Sequence, residues 1–150
     1  MVQVRFYQLT STAIGKALPK LLEKIHEQGQ RILVLCKSEE EVKSLNASLW
    51  TYHPTSFLPH GTEKEGVPEE QPIWLSTKID MLNEPTACVT TFPKDLKELS
   101  SFQTVIYFFE EAQKEGFVSL WKEIQKTKKD TILWVQDPKG AWVKKNLKEE

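Results

Sequence analysis

The stretch RILVLCKSEEEVKSLNASLW, Arg31 to Trp50, decides the fold class. Its first part, Arg31 to Lys37, is a nearly unbroken apolar run, the pattern of a strand covered on both faces inside a parallel sheet. Ser38 and Glu41 then stand three apart, as the serine and glutamate of a capping box do, and Val42, Leu45 and Leu49 follow at helical spacing. A buried strand that runs straight into a capped amphipathic helix selects an α/β layer architecture.

Upstream, VRFYQL (Val4 to Leu9) alternates and is rich in β-formers. Thr10, Ser11 and Thr12 then offer N-caps to a helix, AIGKALPKLLEKIHEQ, whose Ile14, Leu18, Leu21, Leu22 and Ile25 trace one face and which Gly29 ends. Downstream, PIWLST and ACVTTF read as short strands and TVIYFF as a further buried one. QKEGFVSLWKEIQKTKK reads as a helix with Phe117, Leu120, Trp121 and Ile124 inward, followed by TILWVQ and, across DPKG, by AWVKK as a terminal hairpin. The expectation is one Rossmann-like three-layer α/β domain over residues 1–150, with a mostly parallel sheet, a C-terminal β-hairpin and no phosphate-binding loop. Gly61 to Glu70, GTEKEGVPEE, reads as a polar, acidic surface loop. No internal repeat and no second domain show in the pattern.

Composition bounds the function classes. The chain has 150 residues, 39% hydrophobic and 27% charged, with a formal charge of −1, which fits a globular protein without bulk attraction to DNA. No apolar run approaches the ~18 residues of a membrane span. The opening MVQVRFYQLT lacks the basic-then-apolar pattern of a signal peptide, so a cytoplasmic protein without membrane partners is expected. Cys36 and Cys88 lie far apart inside apolar runs and read as free core thiols.

Enzyme signatures fail when counted. Gly15 and Lys16 resemble the end of a phosphate-binding loop, but the motif's first glycine is Thr10 here and its Ser/Thr is Ala17. Without that glycine the backbone cannot wrap phosphates, and without the hydroxyl nothing holds Mg²⁺. No GxGxxG follows a strand. His53 and His60 have no Cys, His or Asp at ligand spacing, and no serine or cysteine sits in a nucleophile elbow. Glu39, Glu40 and Glu41 complement a helix dipole, while Glu110 and Glu111 end a strand. The reading is a non-enzyme with no catalytic residue, cofactor or metal.

Two surface concentrations remain. SLWTYHPTSFLPHG (48–61) packs Trp50, Phe57 and Leu58 with two histidines where Pro54, Pro59 and Gly61 forbid a long regular element. These residues form either an aromatic interface patch rimmed by His60 or a loop folded back on the core, and spacing leaves both open. Between Lys122 and Lys148, eight lysines stand against three acids, with Trp121, Trp134 and Trp142 interleaved. That mixture suits single-stranded nucleic acid or an acidic peptide with an apolar end; equally, lysines solvate a helix face and tryptophans fill a core.

LW followed by SFLPHG, and WK followed by LWVQDPKGAW, occur in this order together with VRFYQL and RILVLCKSEEEVKSLNASLW. In these motifs and in length the chain resembles the chi subunit of bacterial DNA polymerase III, a small accessory protein of the clamp-loader assembly. The resemblance implies a non-catalytic bridging subunit of the replicase. One contact would be to the psi subunit or a helicase, through Trp50, Phe57, Leu58, Pro59 and His60. The other would be to the acidic, phenylalanine-ended tail of single-stranded DNA-binding protein, through Trp121, Lys122, Lys126, Trp134 and Gln136. Little direct nucleic-acid binding is implied. Where some relatives carry arginine one turn before the aromatic-lysine pair, this chain has Val118 and Phe117, which leaves Lys126 or Lys129 to supply point charges. A direct single-stranded nucleic-acid-binding module and a degenerate α/β enzyme are the competing readings.

Overall fold

The computed structural model describes residues 3–51, 60–63, 66–127 and 130–145. In chain order they form β1 (Gln3–Leu9), α1 (Ile14–Glu27), β2 (Ile32–Leu35), α2 (Glu39–Trp50), β3 (Gly61–Thr62), β4 (Ile73–Ser76), β5 (Ala87–Thr90), β6 (Thr104–Glu110), α3 (Lys114–Gln125), β7 (Asp130–Gln136) and β8 (Trp142–Lys145). Short 3₁₀ turns occupy Pro68–Glu70, Leu96–Leu99 and Glu111–Gln113. The eight strands make one sheet in the order β3-β4-β2-β5-β6-β1-β7-β8. Neighbours from β3 to β7 run parallel, and β8 folds back antiparallel on β7 as the expected hairpin.

The unbroken apolar run of β2 is explained by its two covered faces. Ile32 and Val34 join Leu18, Leu22 and Ile25 of α1 and Val42, Leu45 and Leu49 of α2 on one side of the sheet. Leu33 and Leu35 point the other way, toward Phe117, Leu120, Trp121 and Ile124 of α3. This is the three-layer arrangement the βαβα pattern selects. β1 lies between β6 and β7, with Phe6 in register with Tyr107 and Leu133. That central seat puts Phe6 under α3, where its ring stacks on Tyr107 at 4.8 Å and meets the Trp121 indole edge-on at 5.0 Å.

The start of α1 differs from expectation. Its N-cap is Ala13, which has no side chain to cap with, and Thr10, Ser11 and Thr12 are drawn into another network described below. The other end follows the sequence: Gly29, at φ +85°, lets its amide reach the His26 carbonyl at 2.9 Å and the Gln30 amide reach that of Ile25 at 3.4 Å, a Schellman closure. For α2, Ser38 Oγ accepts from the Glu41 amide at 3.2 Å, but the Glu41 carboxylate accepts from the Lys37 amide at 3.1 Å and from the Thr91 hydroxyl at 2.6 Å. Half of the capping box therefore ties the helix to the end of β5. The stretch expected as loop from Gly61 to Glu70 begins with the edge strand β3, whose two residues are too few for a periodic signal. Cys36 and Cys88 are free and buried, as read from sequence.

Candidate docking surfaces and a closed phosphate crevice

In open α/β sheets ligands bind beyond the carboxyl ends of the strands, where loop amides face the crevice. Here those amides are already used. The buried Gln136, at the end of β7, turns its Oε1 to the loop after β1, where it accepts from the amides of Thr10 at 3.2 Å, Ser11 at 3.1 Å and Thr12 at 3.1 Å. Its Nε2 donates to Thr12 Oγ1 at 2.9 Å. Glu110, at the end of β6, accepts from the Ile14 amide at 3.0 Å and so supplies the negative charge that favours a helix N-terminus. A side-chain amide and a carboxylate thus occupy the place where a nucleotide-binding loop would hold phosphate. Gly15 has a packing role instead: a Cβ there would come within 2.9 Å of Ser48 Oγ, so it sets the approach of α1 to α2.

Chemistry elsewhere is equally muted. Burial pushes the Cys88 thiol up to about 12. The Cys36 thiol is raised further, by burial first and then by Glu41 and Glu39. Both are protonated and inert near neutral pH. Among the described residues no group of three or more His, Cys, Asp or Glu is placed to hold a metal, and no helix is long and apolar enough to cross a membrane.

Trp50 is the last residue of α2 and stands 55% exposed, while His60 beside it is buried, their rings 4.9 Å apart at 63°. An indole left in solvent at a helix end is of the residue type that most often anchors protein interfaces. Next to it a cleft of about 440 Å³ is bounded by Glu39, Lys43, Asn46, Thr62 and Glu63. His53, Phe57, Leu58 and Pro59 lie outside the described residues.

The five residues expected to hold an acidic tail do not share one face. Leu133 of β7 faces α3 and shares a core cluster with Trp121 on that helix's inner side, whereas Trp134 and Gln136, offset by the strand's alternation, face the α1 side, where Trp134 stacks on Tyr7 at 6.4 Å. Trp121 is 4% exposed and serves as floor, not as an open ring. Lys122 and Lys126 are exposed on the outer side of α3 and at its end. Sequence reading missed Lys114, which with Val118 and Lys122 repeats every four residues along α3 and therefore shares its face. Lys114 and Val118 border a shallow depression of about 20 Å³ floored by Phe6, Phe109, Phe117 and Trp121. The spacing was available in the sequence, but nothing there showed that this stripe borders an apolar floor.

Fold and crevice together define a Rossmann-like α/β protein whose phosphate site is filled from within and whose aromatic and cationic groups stand at the surface. Over residues 1–131 the chain matches the family described as DNA polymerase III chi subunit, HolC, and it belongs to that family. It is similar to the probable DNA polymerase III subunit chi of Rickettsia prowazekii (strain Madrid E), 27% identical over 154 residues that cover 96% of this chain and 92% of that protein. It is also similar to the DNA polymerase III subunit chi of Haemophilus influenzae, 28% identical over 75 residues, 48% of this chain and 52% of that one.

Proposed function

We propose that this chi-family chain is a non-catalytic, cytoplasmic bridging subunit of the replicase. It docks a clamp-loader partner, psi where present, or a helicase with the end of α2 and the loop after it. With α3 it holds the acidic tail of single-stranded DNA-binding protein. The observation that carries the reading is the exposed Trp50 indole set on buried His60, on the α1 and α2 side of the sheet, while the cationic stripe of α3 lies on the opposite side. Two partners placed on opposite layers can be held at once. Trp50, braced by the buried His60, forms the first contact together with Phe57, Leu58 and Pro59. Lys122, with Lys126 at the helix end, supplies charge to the second, and Lys114 borders the apolar floor that includes Trp121. Trp134 and Gln136, on the far face, support the sheet beneath that site and do not touch the tail.

Titrating an acidic peptide ending in proline-phenylalanine into the wild-type chain and into Lys122→Glu tests the tail contact. Charge reversal is expected to weaken binding about tenfold, since each exposed ammonium contributes about 1 kcal/mol and the reversed group also repels. Equal affinities would remove the α3 assignment, and no binding to either would remove the bridging role.

A further inference from the structure

On the opposite side of the sheet from α3, a groove of about 900 Å³ runs between α1 and the β7–β8 hairpin. One wall carries Lys16, Lys20 and Lys24, which follow each other every fourth residue of α1, about 6 Å apart along its axis. Lys139, in the hairpin turn, stands on the other wall, and all four are exposed. Not one aspartate or glutamate is among the described residues that line the groove, in a chain whose net charge is −1.

The floor is aromatic. Tyr7 of β1 and Trp142 of β8 line the groove and meet edge-on at 5.1 Å. Tyr7 also stacks on Trp134 of β7, which continues the aromatic row on the same sheet face beside the groove, with centroids 6.4 Å apart and planes 18° apart. All three rings are half-buried, so each keeps part of its surface open. Lys144 pairs directly with Trp134 across the hairpin, and directly paired residues share a sheet face, so a fifth cation joins the same side.

We propose that this groove binds single-stranded nucleic acid, its phosphates along the lysine row of α1 and its bases against the Tyr7, Trp134 and Trp142 rings. An evenly repeated row of cations suits a polymer with an evenly repeated anion, and flat rings in series suit bases, which all present a π-face. An acidic peptide would need a closed slot for an apolar side chain, and this groove offers a shelf. The groove is separate from the α3 contact, and it reaches the end of α2 at Ser48 and Thr51, beside the first contact proposed above. It also accounts for basic and aromatic residues of the C-terminal hairpin that lie on the wrong face to serve α3.

The test measures fluorescence anisotropy of a labelled oligothymidylate with the full chain, with Lys20→Glu, and with Lys78→Glu, an exposed lysine at the end of β4 that gives the same charge change away from the groove. Wild type is expected to bind with a log K against log salt slope of about −3, as four phosphate contacts on a single strand give. Lys20→Glu is expected to weaken binding about tenfold, and Lys78→Glu to change it less than about twofold. Circular dichroism of the variants secures the fold. No binding by wild type, an equal loss in both variants, or tighter binding of polyglutamate than of the oligonucleotide would each overturn the proposal.

Discussion

Replacing Gln136 with leucine tests the argument that the loop after β1 is closed by a side chain rather than kept open for phosphate. Leucine keeps most of the volume at a site that is 5% exposed, so packing changes little. What is lost is the acceptor shared by the amides of Thr10, Ser11 and Thr12 and the donor to Thr12 Oγ1. Each such bond contributes about 0.5–1.5 kcal/mol net, and a buried amide left unmet costs more. Water can reach the exposed Thr10 and Ser11, which lowers the sum, and the Thr10 hydroxyl still donates to the Gln136 carbonyl because that bond is to backbone. The expected loss is about 2 kcal/mol, read as a urea midpoint lowered by roughly 1 M at unchanged slope. Gln136→Glu keeps oxygen acceptors for all three amides and is expected to lose only about half as much. A loss below about 0.5 kcal/mol for the leucine variant would show that the amides are satisfied by solvent, and the closure argument would fail.

Trp50→Ala should change stability by less than about 1 kcal/mol, because the indole is half in solvent, yet cost 2 kcal/mol or so in partner affinity measured by calorimetry; a steep fall in melting temperature would make Trp50 a core residue instead. Trp121→Ala, by contrast, should lose about 3–5 kcal/mol by denaturation, since the ring is wedged against Phe6 in the core. Gly29→Ala should cost about 1 kcal/mol from the backbone alone: the site has nothing within 4 Å of a new Cβ but sits at φ +85°. The Cys88 thiol, raised from 9.0 to about 12 by burial, is protonated in the folded state where the unfolded chain has begun to ionise. Its stabilising contribution is therefore complete below pH 9 and falls by up to about 1.4 kcal/mol per pH unit above it. Cys88→Ala should flatten that part of the stability-pH curve, and an unchanged slope would contradict the burial.

The order and type of the main elements are local properties, and the sequence by itself determined them. Ile32 to Leu35 read as a two-face-buried strand because both alternating sets are apolar. α2 and α3 announced themselves through Leu45 and Leu49, and through Phe117, Trp121 and Ile124, since amphipathic spacing survives in any context that buries one side. The failure of the phosphate motif at Thr10 and Ala17 was equally legible. What replaced it was not, because Gln136 meets Thr10 from 126 residues away and only the placement of β7 beside β1 brings them together. The same holds for Trp121 and Trp134. Both are tryptophans in a basic stretch, but one points from α3 into the core and the other lies on the far face of the sheet, a division set by helix phase and strand register. Sequence spacing gives which residues share a face of one element; which faces meet, and which remain open to a partner, is decided by how the elements pack in the sheet.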